Sequence, residues 1–120
     1  MRVAGKVALI SGGARGIGGA AARLLALEGA AVVIGDLLED DGRETASQIT
    51  DSGGRATFVQ MDVTSEEDWR RATDAAGTAY GKLDVLVNNP GIRGRVLLQR
   101  TSSHLWGRGM RPKAVRFGNQ

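Results

Sequence analysis

Residues 11–18 read SGGARGIG and set glycines at positions 12, 16 and 18, between a strand and a helix. The string stands between an apolar run, KVALI at 6–10, and a stretch with helical spacing. A glycine turn in that place lets backbone N–H groups approach an anion, because glycine has no Cβ to hold a ligand off. The first N–H groups of a helix lack intrahelical partners and carry a partial positive charge, so phosphate or pyrophosphate is the group such a turn suits. Glycine-rich strings also make ordinary turns, and a second signal must agree. Asp36 supplies it. It closes the apolar run AAVVIGD at 30–36, 18 residues after Gly18, where a dinucleotide fold sets an acid against the ribose hydroxyls. A carboxylate there repels a 2′-phosphate and favours NAD over NADP, while Arg15 beside the turn offers some charge to a phosphate.

These residues need a scaffold, and the hydrophobic pattern describes one. The run at 6–10 reads as a buried parallel strand, and Ile17 to Glu28 as a helix stopped by Gly29 at its C′ position. Residues 30–36, rich in β-branched side chains, form a second strand. A helix opening on Glu39, Asp40 and Asp41 and running to about Asp51 precedes a third strand at 56–61. Thr64 or Ser65 can cap the next helix, with Glu66, Glu67 and Asp68 in its first turn, and the helix ends near Tyr80 and Gly81. Residues 83–87, LDVLV, make a fourth strand. Strands alternating with helices predict an α/β fold with a mostly parallel sheet covered on both faces. Beyond Gly91 the periodicity fades, although 101–110 could form a helix around Leu105, Trp106 and Met110.

Composition narrows the field. A 120-residue chain with 42% hydrophobic residues is long enough for one domain with its own core. The absence of cysteine excludes a disulfide framework and a thiolate metal site, and a single histidine, His104, leaves little for zinc. No apolar run approaches a membrane span, and the start MRVAGK lacks the apolar segment of an export signal, so the expected setting is cytoplasmic. The net charge of +3 hides an asymmetry: residues 1–84 hold 9 Lys/Arg and all 13 Asp/Glu, whereas 85–120 hold 7 Lys/Arg and no acid. A basic tail can meet nucleic acid or an acidic membrane, but this one interleaves only Trp106 and Phe117 with its charges, and neither partner is expected.

Residues 11–18, Asp62-Val63 after the third strand and NNPG at 88–91 after the fourth resemble the TGxxxGIG, Asp-Val and NNAG motifs of the short-chain dehydrogenase/reductase family, in order and in spacing. The resemblance is dense over 3–92 and thinner to residue 120. It implies a Rossmann-type doubly wound parallel sheet, here four strands with flanking helices: a dinucleotide-binding half at 1–92, then a basic, partly helical tail at 93–120. It also implies roles. Gly12, Arg15, Gly16, Ile17 and Gly18 surround the pyrophosphate, Asp36 and Leu37 the ribose, Asp62 and Val63 the adenine, and Asn89 and Gly91 lie near the cofactor. The activity implied is hydride transfer between a nicotinamide dinucleotide and a secondary alcohol or ketone, as in bacterial members acting on hydroxysteroids and cyclic alcohols with NAD. Relatives of this kind assemble as homo-oligomers.

The family's chemistry uses a Tyr-x-x-x-Lys pair with a Ser and an Asn, in which an ammonium acidifies the tyrosine for proton exchange with the substrate oxygen. Those residues are absent here. The single tyrosine, Tyr80, stands four before Asp84 and is expected to pack at a helix end, with Lys82 a surface residue of the turn. Where relatives show a Met followed by Val-Asn, this chain has Met110-Arg-Pro-Lys, and Pro112 inside a helix costs about 3 kcal/mol. Pro90 also replaces the alanine of NNAG. The reading is an N-terminal fragment that carries the cofactor site without catalytic residues, inactive alone. Two rivals stand beside it: a catalytically dead dinucleotide-binding module, and a partial product that aggregates through an unpaired edge of the fourth strand.

Overall fold

The computed structural model describes residues 3–88 and, as strands, 97–100 and 113–116. Four parallel strands and three helices alternate: β1 (Val7–Ser11), α1 (Gly16–Leu27), β2 (Ala31–Asp36), α2 (Glu39–Asp51), β3 (Arg55–Gln60), α3 (Glu66–Tyr80) and β4 (Val85–Asn88). Two short strands follow, β5 (Leu97–Arg100) and β6 (Lys113–Arg116), and the sheet runs β3-β2-β1-β4-β5-β6. β1 pairs in parallel with β2 on one side and β4 on the other, so the strand order reverses between β1 and β4. In doubly wound sheets ligands bind outside the carboxyl ends of the strands at such a reversal.

Period-two alternation sorts each strand between two cores. Ala8, Ile10, Val32, Ile34, Val85 and Val87 face α1 and α2, meeting Ala22, Leu25, Ala26, Ala46 and Ile49. Val7, Leu9, Ala31, Val33 and Leu86 face the opposite way, toward Ala72 and Ala76 of α3 with Met61 and Leu83. Both faces of β1 and β2 are covered, which is why these strands are continuously apolar rather than alternating.

The expected helix ends are found. Gly29, at φ 99°, follows α1 in the left-handed region, and Gly81, at φ 83°, closes α3. Ser65 caps α3, its Oγ accepting from the Asp68 N–H at 3.1 Å.

The described pieces of the tail are strands that the sequence pattern does not single out, and both are antiparallel: β5 pairs with β4, Val85 opposite Arg100, and β6 pairs with β5. The fourth strand therefore has a partner on each side, and the unpaired edge expected there is not present. The cause is general: strand N–H and C=O groups need partners, and a short extended segment can supply them in either direction. The helix expected at 101–110 lies outside the described residues, as do Pro90, His104, Trp106, Met110, Pro112 and Phe117.

At the amino ends of the strands, the Asp84 carboxylate accepts the Val7 N–H at 2.9 Å and pairs with Lys82 at 3.2 Å, while the Asp84 N–H donates to the Val7 carbonyl at 2.9 Å. Lys82 is thus a turn residue. Tyr80 packs against the α3-side core, shares a 2.9 Å hydrogen bond with the Thr57 hydroxyl, and lies beneath the Arg55 guanidinium at 5.9 Å. Among the described residues no helix is long and apolar enough to cross a membrane, and no group of three potential metal ligands occurs.

Candidate functional site

The glycine turn begins where β1 ends. Gly12 and Gly16 have φ of 65° and 63°, a region that costs side-chain-bearing residues strain. The Gly12 N–H donates to the Gly35 carbonyl at 2.7 Å and the Gly13 N–H to the same oxygen at 3.3 Å, tying the turn to β2. A Cβ on Gly13 would stand 3.0 Å from the Ile10 carbonyl oxygen and 3.0 Å from Ile34 Cγ2, so this position takes glycine for packing. Around Gly16 a Cβ would meet nothing within 4 Å. Gly18 is buried in the first turn of α1.

The three helices differ at their first turns. α2 opens on Glu39, Asp40 and Asp41, and α3 on Glu66, Glu67 and Asp68 with the Ser65 cap. α1 has no acid in its first turn, and its N-cap, Arg15, is extended and makes no side-chain cap bond. The positive end of α1 is therefore left for an acceptor from outside.

Asp36, at the end of β2, is bound through both oxygens. Oδ2 accepts the Ala14 N–H at 3.1 Å and Oδ1 the Leu38 N–H at 3.0 Å. One carboxylate thus joins the glycine turn to the start of α2. Ala14 is also held from its other side, its carbonyl accepting the Thr45 hydroxyl at 2.6 Å. Arg15 pairs with Asp41 at 3.8 Å, with both side chains well exposed. Ile17, Leu37 and Val63 are 50%, 60% and 40% exposed, apolar side chains left in solvent after the carboxyl ends of β1, β2 and β3.

After β3 the chain is fixed by reciprocal bonds. Asp62 Oδ1 accepts the Thr64 hydroxyl at 2.6 Å and the Thr64 N–H at 2.8 Å, and these bonds hold its carboxyl below the usual range. The Asp62 N–H donates to Asp68 Oδ2 at 2.9 Å, and Asp68 Oδ1 pairs with Arg71 at 2.9 Å, so Asp68 is likewise lowered, chiefly by the Asp62 N–H. The Trp69 indole N–H donates to the Val63 carbonyl at 2.8 Å. A cavity of about 270 Å³ lined by Val63, Trp69, Leu86 and Asn88 adjoins this segment. At the strand-order reversal itself, the buried Ser11 hydroxyl donates to Asn88 Oδ1 at 2.9 Å. Asn89 and Gly91 lie outside the described residues.

The model of short chain dehydrogenases matches residues 6–111. The chain belongs to the short-chain dehydrogenase family. It is 50% identical over 91 residues to a 3-alpha-(or 20-beta)-hydroxysteroid dehydrogenase of Mycobacterium tuberculosis, covering 76% of this chain and 34% of that protein. With the trans-4-hydroxycyclohexanecarboxylate dehydrogenase of Sinomonas cyclohexanicum it shares 51% identity over 113 residues, 89% of this chain and 44% of the relative. A solved structure of a hydroxysteroid dehydrogenase from Escherichia coli superposes with a TM-score of 0.70 at 39% identity, covering 73% of this chain and 37% of that one. The chain therefore spans less than half the length of these relatives. Short-chain dehydrogenases are oxidoreductases that use nicotinamide cofactors.

The motif residues among those described, 11–18, Asp62-Val63 and Asn88, thus fall at the carboxyl ends of β1, β3 and β4, with Asp36 at the end of β2. Sequence reasoning did not single out Gly13, Thr45 or Asp68 as parts of this edge, nor Ser11 and Asn88 as a bonded pair. Asp68 could have been found from the three-residue spacing behind Ser65, and Gly13 from its place in the turn. Thr45, in mid-helix, carried no such mark.

Proposed function

We propose that this short-chain dehydrogenase chain binds NAD in preference to NADP, the observation that carries this being the Asp36 carboxylate fixed between Ala14 and Leu38. The residues present suit the group. Two positive-φ glycines, open space beside Gly16 and an uncapped helix start with no acid suit a pyrophosphate. Gly12, Arg15, Gly16, Ile17 and Gly18 hold it, with Asn89 and Gly91 beyond the turn. Asp36 and Leu37 take the adenosine ribose. Val63 covers the adenine, and Asp62, whose Thr64 bonds both fall on Oδ1, offers Oδ2 to the adenine amino group.

Bound NAD supplies hydride exchange at its nicotinamide ring. What this chain's residues add is binding, orientation and charge selection: a fixed carboxylate excludes a 2′-phosphate on the ribose because like charges repel at short range. Among the described residues Tyr80 is engaged by Thr57 and Lys82 by Asp84, and in this reading neither exchanges a proton with a substrate. In this reading residues 1–120 bind the dinucleotide and turn over no alcohol by themselves. The reaction to which they contribute is oxidation of a secondary alcohol or reduction of a ketone, in keeping with the hydroxysteroid and hydroxycyclohexane substrates in the relatives' names, and its setting is the cytoplasm.

One observation favours a second reading. Because β5 and β6 continue the sheet beyond β4, the chain fits a self-contained dinucleotide-binding module without catalysis. Equilibrium titration of residues 1–120 with NADH and NADPH tests what both share. NADH should bind tighter by on the order of tenfold, equivalent to about 1.4 kcal/mol of charge repulsion, and Asp36→Asn should narrow that ratio. Equal affinities in the unsubstituted chain, or a ratio indifferent to Asp36→Asn, would remove Asp36 from the site.

A further inference from the structure

Thr45 is 2% exposed in the middle of α2 and behaves unlike the other helical threonines that make such bonds. Thr50 and Thr73 donate to the carbonyl four residues back in their own helices, Ala46 at 2.9 Å and Trp69 at 2.8 Å, the usual local bond for a helical hydroxyl. Thr45 leaves its helix and reaches the Ala14 carbonyl at 2.6 Å. Its direction is fixed. Arg23 Nη2, a donor only, lies 3.4 Å from Thr45 Oγ1 and 2.9 Å from Gln48 Oε1, so the hydroxyl accepts from Arg23 and spends its one proton on Ala14.

Ala14 is thereby gripped at both ends, by the Thr45 hydroxyl on its carbonyl and by Asp36 Oδ2 on its N–H. In a trans peptide the carbonyl and the following N–H point in opposite directions. Drawing the Ala14 carbonyl toward α2 therefore aims the Arg15 N–H away from α2, at the uncapped start of α1. We propose that Thr45, itself oriented by Arg23, is a positioning residue that aims the Arg15 N–H at the pyrophosphate of a bound dinucleotide. This inference rests on the dinucleotide reading above. It assigns to α2 a share in affinity through a residue that never touches the ligand.

The test uses residues 1–120 with Thr45→Val, which keeps the shape and deletes the donor, and Thr45→Ser, which restores it. Binding of NADH and ADP-ribose, which carry a pyrophosphate, is compared with binding of adenosine, which does not, by amide chemical-shift titration. Thr45→Val should weaken both pyrophosphate ligands about tenfold, or about 1.4 kcal/mol, leave adenosine within about twofold, and be rescued by Thr45→Ser. Equal loss for all three ligands would make Thr45 a general packing residue and overturn the inference, as would unchanged NADH affinity. Should Thr45→Val unfold, Arg23→Met at an exposed position decides: about twofold weaker NADH binding supports the relay and no change overturns it. If the unsubstituted chain binds none of the three ligands, the dinucleotide reading itself fails and the inference with it, a result distinct from a defect confined to the variants.

Discussion

Replacing Asp36 in two ways separates its hydrogen bonds from its charge. The two N–H groups it receives are unequal: Ala14 is 2% exposed, whereas Leu38 is 39% exposed. In Asp36→Ala both lose their acceptor. Water replaces it at Leu38, but the buried Ala14 N–H is left unpaired, at about 1–3 kcal/mol. In Asp36→Asn the side-chain carbonyl can turn to Ala14 and leave the amide NH₂ beside Leu38, where solvent takes over. That variant gives up only the charged character of one bond, about 0.5–1 kcal/mol. Urea unfolding followed by circular dichroism reads the difference. With a slope of about 2 kcal/mol per molar for a small domain, Asp36→Ala should lower the midpoint by about 1 M and Asp36→Asn by less than half of that. Coincident midpoints for the two variants would refute the reasoning, because they would show that no buried donor depends on Asp36. A near-native midpoint for Asp36→Ala would do the same.

Three further outcomes follow from the same geometry. Asp62 and Asp68 have lowered carboxyl pKa values, so the stability they contribute is complete above the ordinary value of 3.8 and is lost as pH falls below it through their folded values; carboxyl NMR titration should place both midpoints under 3.8, and midpoints at or above it would contradict the bonds to Thr64 and from the Asp62 N–H. Gly13→Ala should destabilise by about 1–3 kcal/mol, because the added Cβ meets a backbone oxygen of a central strand and a stiff β-branched side chain; a melting temperature equal to that of the parent chain would show that the turn can move. Tyr80→Phe should cost about 1 kcal/mol through the lost Thr57 bond and leave the Kd for NADH unchanged, and a weakened Kd would contradict the purely structural place of Tyr80.

What was legible in the sequence is what period and turn chemistry encode. The four parallel strands and three helices were readable because β1 and β2 are buried on both faces and so read as continuous apolar runs, and because glycines or a serine cap mark several of the element ends. The turn at Gly12 and Gly16 and the place of Asp36 at the end of β2 were readable because a glycine cluster follows one apolar run and an acid closes the next. β5 and β6 were not, since four-residue strands, LLQR and KAVR, are too short to show a period and nothing in them specifies an antiparallel direction. Nor was the use of Asp36 inside the protein: the pattern proposes a ligand for the carboxylate, whereas Ala14 and Leu38 claim an oxygen each. Thr45 was invisible for a related reason, since a threonine in mid-helix acquires meaning only when folding brings a carbonyl 31 residues away within 2.6 Å.

The most direct test of the account is calorimetric titration of residues 1–120 with NADH, repeated in the presence of ADP-ribose. The proposed reading predicts saturable binding of one NADH per chain, displaced by ADP-ribose because in that reading the turn, Asp36 and the Asp62-Val63 segment would meet only the ADP-ribose half of the dinucleotide. Absence of saturable binding up to millimolar NADH, or binding that ADP-ribose does not displace, would contradict it.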